Sequence, residues 1–203
     1  MKPKGHHQRG YLPHRDYGSA VQAITFREGD SLPTHVIEEW RSELSDLTTS
    51  NDPKEQENYQ KELSKRIARY EDAGHGSCHL RRPELARIVQ DRLLKGHDQD
   101  YKLIAWCIMP NHVHVLIKQV ENSSLGEIVK HWKGSSAHQI NHALERAGPF
   151  WAEDYFDRVI RDEEHFWNAI SYIHKNPVRA GLVKEPTDWP FSSVGHGWSL
   201  PTH

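Results

Sequence analysis

The sequence predicts an α+β fold, a small antiparallel sheet with helices on one face. Three observations predict it. Residues 101–118 hold two β-prone apolar runs parted by the turn Pro110-Asn111. Segments on either side of this pair carry apolar residues at helical spacing. The elements read in the order strand, helix, strand, strand, helix, strand, which is the split βαβ, ferredoxin-like plan.

Taken in order, Val21 to Phe26 is a short β-prone run. Residues 28–72 carry 12 acidic against 6 basic side chains, and the rest of the chain 16 against 20. The overall charge of −2 thus hides an acidic segment and a mildly basic body. The segment reads as two helices, about 34–48 and 54–72, separated by Ser50-Asn51-Asp52-Pro53. Glu57/Lys61 and Glu62/Arg66 stand four apart with the favourable polarity, as in a solvated helical hairpin. It is expected to be peripheral.

Pro83 to Leu94 reads as a helix with proline in its first turn. Tyr101–Met109 and His112–Lys118 form the strand pair. Ser124 and Glu127 have capping-box spacing and open a helix to about Leu144, with Leu125, Ile128, Val129 and Trp132 on its apolar side. Residues 150–160 are expected to supply the fourth strand. Asp162 to Lys175 is a helix with an acidic first turn, an apolar stripe at 166, 169, 170 and 173, and Pro177 as its stop.

Chemistry is most concentrated at His112 and His114. Residues two apart on a strand point the same way, so the imidazoles share one face while Val113, Val115 and Ile117 take the other. Such a pair is half of a divalent-metal site. By itself it reads more readily as two ordinary histidines, of which the chain has 16, so a third ligand must come from elsewhere. Tyr172 and Asn176 lie one helical turn apart, which sets a phenol beside a carboxamide.

Four ordered blocks resemble the single-tyrosine transposases of the HUH (His-hydrophobe-His) superfamily, and most closely their REP-associated branch. They are Met109-Pro-Asn-His-Val-His-Val-Leu116, Trp151 to Arg158 with Ile160-Arg161, Tyr172 to Val183, and Trp189-Pro-Phe-Ser-Ser193. The resemblance covers roughly residues 79–195 of 203. It implies the ferredoxin-like sheet with its His pair on a central strand. It also implies a DNA endonuclease and strand transferase acting on single-stranded, hairpin-forming DNA through a 5′-phosphotyrosine. Carried over residue by residue, Tyr172 is the nucleophile and His112, His114 and Asn176 hold Mg²⁺ or Mn²⁺, a ligand set suited to those ions. Tyr155 is the rival tyrosine, but no amide or carboxylate follows it on a helix.

Candidate phosphate contacts are Arg9 and Arg15 in a basic arm (1–18), Lys130 and Lys133 on the 124–144 helix, and Arg158 and Arg161. The expected organisation is one domain over 1–203, in which the arm and the 28–72 insertion flank the motif-bearing region 79–195. Neither an apolar run of membrane length nor a signal-peptide pattern occurs, so a cytoplasmic protein without membrane contact is expected, as monomer or homodimer. Cys78 and Cys107 suggest neither a disulfide framework nor a zinc ribbon. An RNA-binding sheet would need stacking aromatics where His112 and His114 stand. A histidine-triad hydrolase would need histidine at Leu116. A domesticated transposase that binds hairpins without cutting is the remaining alternative.

Overall fold

The computed structural model describes residues 5–9, 12–16, 20–44, 52–121 and 123–200, with side chains described from residue 20 onward except at 53, 57 and 122. Strands β1 (Gly5–Arg9) and β2 (Leu12–Asp16) pair antiparallel within the N-terminal arm. The main sheet holds β3 (Val21–Arg27), β4 (Tyr101–Ile108), β5 (His112–Gln119) and β6 (Phe156–Val159). Its spatial order is β4-β5-β3-β6, every neighbouring pair antiparallel. With α3 (Pro83–Lys95) and α4 (Leu125–Ala143) as crossovers, this is the ferredoxin-like order, and β5 lies centrally as expected.

Strand alternation divides the core. Val113, Val115 and Ile117 face α3 and α4, and pack with Leu85, Val89, Leu93, Ile128, Val129 and Trp132. Leu116 faces the other way, with Ile170 and Ile173 of α5 (Glu163–Arg179). Helices therefore cover both faces, a correction to the expectation of one. The two crossover helices do share a face. The third helix is needed because β4 and β5 are apolar on both sides, and an uncovered side would leave Ile104, Cys107, Met109 and Leu116 in water. A bulge at Leu103/Ala105 adds one residue to β4, so Ile104 and Ala105 both face α5 while Trp106 and Ile108 return to the α3/α4 side.

Several buried polar groups of the α3/α4 core are paired. The Tyr101 hydroxyl donates to the Leu93 carbonyl at 2.6 Å and accepts from Trp132 Nε1 at 2.9 Å. Trp151 Nε1 donates to Ser136 Oγ at 2.9 Å. Phe191 to Ser193 lies along the free edge of β4, where the Phe191 carbonyl accepts from Ile108 N at 2.8 Å and Ser193 N donates to Trp106 at 2.9 Å. The Trp189 block thus caps a sheet edge.

The acidic segment forms α1 (Thr34–Glu43) and α2 (Pro53–Asp72), joined by the Arg66–Glu43 ion pair; Arg66 also reaches Glu62 at 3.8 Å, the expected i,i+4 pair. The Glu57 side chain lies outside the described residues. Three local expectations need correction. Ser124 makes no side-chain cap, although its carbonyl accepts from Ile128 N at 3.0 Å. Pro177 does not end α5, which runs to Arg179. One missing N–H is tolerable so close to the end, because Ala180 N, Leu182 N and Gly181 N bond back to Asn176, Pro177 and Val178. The fourth strand is shorter than 150–160: its register with β3 covers Phe156–Val159, and Ile160 N and Ala152 N add single bonds to the Val21 and Arg27 carbonyls.

Candidate active site

His112 and His114 point away from α3 and α4 into the junction of β5, α5 and the end of α2. Their exposures are 0% and 5%, and their Nε2 atoms face each other at 3.0 Å. Each ring is oriented through its other nitrogen. The Asn111 Nδ2 donates to the His75 carbonyl at 2.8 Å, which turns Asn111 Oδ1 toward His112 Nδ1 at 2.7 Å. That nitrogen must then carry the proton, leaving Nε2 with a lone pair. On His114, Nε2 accepts from Asn176 Nδ2 at 2.8 Å, so Nδ1 carries the proton and donates to Thr25 Oγ1 at 2.8 Å. Thr25 is its cross-strand partner on β3.

The Asn176 amide occupies the single lone pair of His114 Nε2, and His112 Nε2 stands 3.0 Å from the same nitrogen, so three nitrogens crowd the place where a cation would bind. Burial holds His112 well below the ordinary imidazole range, helped by His114 and Arg27. Burial and then Arg179 bring His114 down to about 3. Both rings are neutral and ready to ligate near neutral pH.

The structure brings four expected residues together. Asn176 is fully buried on α5, and its Oδ1 has no partner. Tyr172, one turn earlier, sets its ring edge-on to His114 with centroids 5.4 Å apart. The Arg179 guanidinium lies 5.0 Å from the Tyr172 ring centroid. Burial, assisted by Asp72, pushes the Tyr172 phenol up to about 12, with Arg179 opposing. The tyrosine and the histidines meet within one chain. Tyr155 packs instead against the α3/α4 core, across the sheet from the histidines.

Sequence reasoning missed Asp72. It ends α2, and its Oδ1 lies 3.7 Å from His112 Nε2, buried and without a hydrogen-bond partner. Asp72, His112 and His114 offer three ligand atoms within 4.8 Å of one another. Burial raises the Asp72 carboxyl, with Arg179 and Asn176 opposing. The acidic segment is therefore not peripheral: its C-terminal turn lies on the site. Beside it, Glu71 is buried against Arg27 at 3.9 Å, and burial lifts it to about 7. Thr25 and Asn111, which orient the imidazoles, were read only as strand and turn residues.

The basic candidates divide by face. Arg158 pairs in register with Ala23 and so projects from the site's face of the sheet, exposed at the β6 edge. Arg161 is exposed just before α5. Lys130 and Lys133 lie on α4, behind the sheet, where Lys130 pairs with Glu127 at 3.5 Å and Lys133 donates to the Glu153 carbonyl at 2.6 Å. The Arg9 and Arg15 side chains lie outside the described residues.

Residues 82–176, which include both histidines, Tyr172 and Asn176, match the family model of IS200-like transposases. Over that span the chain is similar to the IS200-like transposases. A Haemophilus influenzae protein named as a REP-associated tyrosine transposase is 30% identical over 103 residues, covering 46% of this chain and 58% of that protein. An Escherichia coli REP-associated tyrosine transposase is 28% identical over 96 residues, covering 47% and 56%. The chain thus matches little more than half the length of either relative. A solved REP-associated tyrosine transposase bound to a REP hairpin superposes with a TM-score of 0.54 at 16% identity, over 94% of this chain and 82% of that one. This last likeness is one of fold. Among the described residues no helix is long and apolar enough to cross a membrane.

Proposed function

We propose that this protein is a metal-dependent endonuclease and strand transferase that acts on single-stranded, hairpin-forming DNA through a phosphotyrosine at Tyr172. The observation that carries the reading is the meeting, within one chain, of the Tyr172 ring, two imidazole lone pairs and the buried, unpartnered Asn176 Oδ1. The names of the relatives support the substrate class, and a family match spanning all four residues supports the chemistry.

His112, His114 and Asn176 are the donors that would hold Mg²⁺ or Mn²⁺. The planar carboxamide presents oxygen or nitrogen by a half-turn about its last torsion, so the amide that donates to His114 can instead offer its oxygen. A bound ion would polarise the scissile phosphate and stabilise its developing charge. Tyr172 Oη attacks the phosphorus, the P–O3′ bond breaks, the phenol loses its proton and the leaving 3′-oxygen gains one. The 5′ end is stored on the protein, and a 3′-hydroxyl can later attack the phosphotyrosine and rejoin DNA without an external energy source. Arg179 lies over the Tyr172 ring, where its charge favours the phenolate. Arg158 and Arg161 are proposed to contact the phosphates of the incoming strand, with Arg9 and Arg15 of the arm, and Lys130 and Lys133 as more remote contacts.

In this reading arm, insertion and motif-bearing region act as one domain. One chain suffices for chemistry, and the site of action is the cytoplasm, where a bacterial enzyme meets its DNA.

The test is Tyr172→Phe on hairpin substrates nicked near the scissile phosphate. The adduct on denaturing gels should vanish while hairpin affinity stays within about threefold, because only one hydroxyl is lost. Tyr155→Phe should keep the adduct. A persistent adduct in Tyr172→Phe refutes the assignment, and absence of any adduct in the wild type with tight hairpin binding leaves a binding module.

A further inference from the structure

We propose that Asp72 is a fourth donor of the metal site, which makes the acidic 28–72 segment a wall of the active centre. The inference rests on the metal reading above and adds a residue, and a whole segment, to it. Three observations carry it.

The first is the Asp72 carboxylate itself. Its Oδ1 is buried, lacks a hydrogen-bond partner and stands 3.7 Å from His112 Nε2. A buried carboxylate oxygen left unsatisfied costs free energy unless a cation or donor meets it. The second is that the adjoining Asn176 Oδ1 is likewise buried and unpartnered, on a residue with no exposure at all. The Asp72 carboxylate and the two imidazoles offer ligand atoms within 4.8 Å of one another, and the Asn176 amide reaches the same place from α5, 2.8 Å from His114 Nε2. Oxygen donors from a carboxylate and an amide beside two imidazoles favour a hard or borderline divalent ion such as Mn²⁺.

The third is the way the end of α2 is held. Glu71 pairs with Arg27 of β3. The His75 carbonyl accepts from Asn111 Nδ2, and Tyr70 stacks on the His75 ring at 3.9 Å. Ser77 bonds the Asp30 carboxylate through its amide at 3.0 Å and through its hydroxyl. Gly76, at φ +87°, passes so close to Asp30 and Ser31 that a Cβ would lie 2.9 Å from their backbone. Asn111 therefore joins the insertion to His112: one end of its amide grips the loop after α2 and the other orients the imidazole. A solvated accessory hairpin has no need of such fastening beside a histidine pair.

The test uses the full chain with Mn²⁺ as probe. Isothermal titration and Mn²⁺ electron paramagnetic resonance should show one ion bound by the wild type. Binding should weaken about tenfold or more in Asp72→Asn, since the carboxylate's charge is lost. Glu62→Gln, an exposed carboxylate on the same helix, should bind as the wild type does. In the wild type, hydrogen exchange across residues 70–76 should slow when Mn²⁺ is added, a readout that does not depend on any variant folding. Unchanged Mn²⁺ affinity in Asp72→Asn, or no added protection at 70–76, overturns the proposal. If His114→Gln loses the ion while Asp72→Asn retains it, the metal reading stands and the fourth donor falls. A wild type that binds no Mn²⁺ ends both.

Discussion

Thr25→Val isolates the orientation of His114 from its presence. Thr25 Oγ1 accepts from His114 Nδ1 at 2.8 Å across the β3–β5 ladder, and that bond keeps the proton off Nε2. Valine replaces the hydroxyl by a methyl of similar size and is at home in a strand, so β3 should persist. The buried Nδ1–H then loses its acceptor, at a cost of about 1–3 kcal/mol in stability. The proton is also free to move to Nε2, where it would cover the lone pair that faces the site. Partners of this kind are typically worth about 10–100-fold in metal affinity or activity, or about 1.4–2.7 kcal/mol. Urea unfolding of the metal-free protein reads the first effect, and Mn²⁺ titration with hairpin cleavage reads the second. A variant less stable than wild type yet with Mn²⁺ affinity within twofold would make Thr25 a packing residue. A variant unchanged in both would mean that the bond to Nδ1 is not made in solution.

Acid should destabilise the metal-free protein through the histidine pair. Both imidazoles are held below the unfolded value of about 6.5, His114 at about 3, mainly by burial, so the unfolded chain binds more protons as pH falls. Each should cost about 1.4 kcal/mol per pH unit below 6.5, a stability fully present above that value. Glu71, lifted to about 7, acts oppositely between 7 and about 4.5, where the folded state binds the extra proton. Urea titrations from pH 7 to 5 should show a shallower acid loss in His114→Asn than in wild type and a steeper one in Glu71→Gln. Parallel curves would contradict this. In the other core, Gly96→Ala would place a Cβ 2.6 Å from the buried Tyr101 ring, which is anchored by its bond to Leu93. A loss of about 1–3 kcal/mol in urea unfolding is expected, and an unchanged midpoint would show that the ring can yield.

The fold was legible wherever the pattern was local. The two-residue period placed His112 and His114 together and Val113, Val115 and Ile117 opposite them, as the two cores show. The helical stripe at 166, 169, 170 and 173 faces the sheet as read. Tyr172 and Asn176 share a face because four residues are about one helical turn. Errors arose where a local rule competed with tertiary context. Pro177 stops a helix only if later carbonyls have no other donors, and here three amides fold back onto them. The Ser124–Glu127 spacing suggested a cap that the serine side chain does not make.

By itself, then, the sequence determined the chemistry-bearing residues of β5 and α5 and the face each occupies, because periodicity within one element is set by backbone geometry. Whether the two elements meet, and what else meets them, was decided by tertiary structure. Asp72 lies in a segment whose charge marked it as solvated, yet packing of Glu71 on Arg27 and the grip of Asn111 on His75 carry its carboxylate to the histidines. No spacing rule links residue 72 to residue 112, since their approach depends on how a helical hairpin docks against a sheet. Contacts of that kind are fixed by shape and burial across the whole molecule.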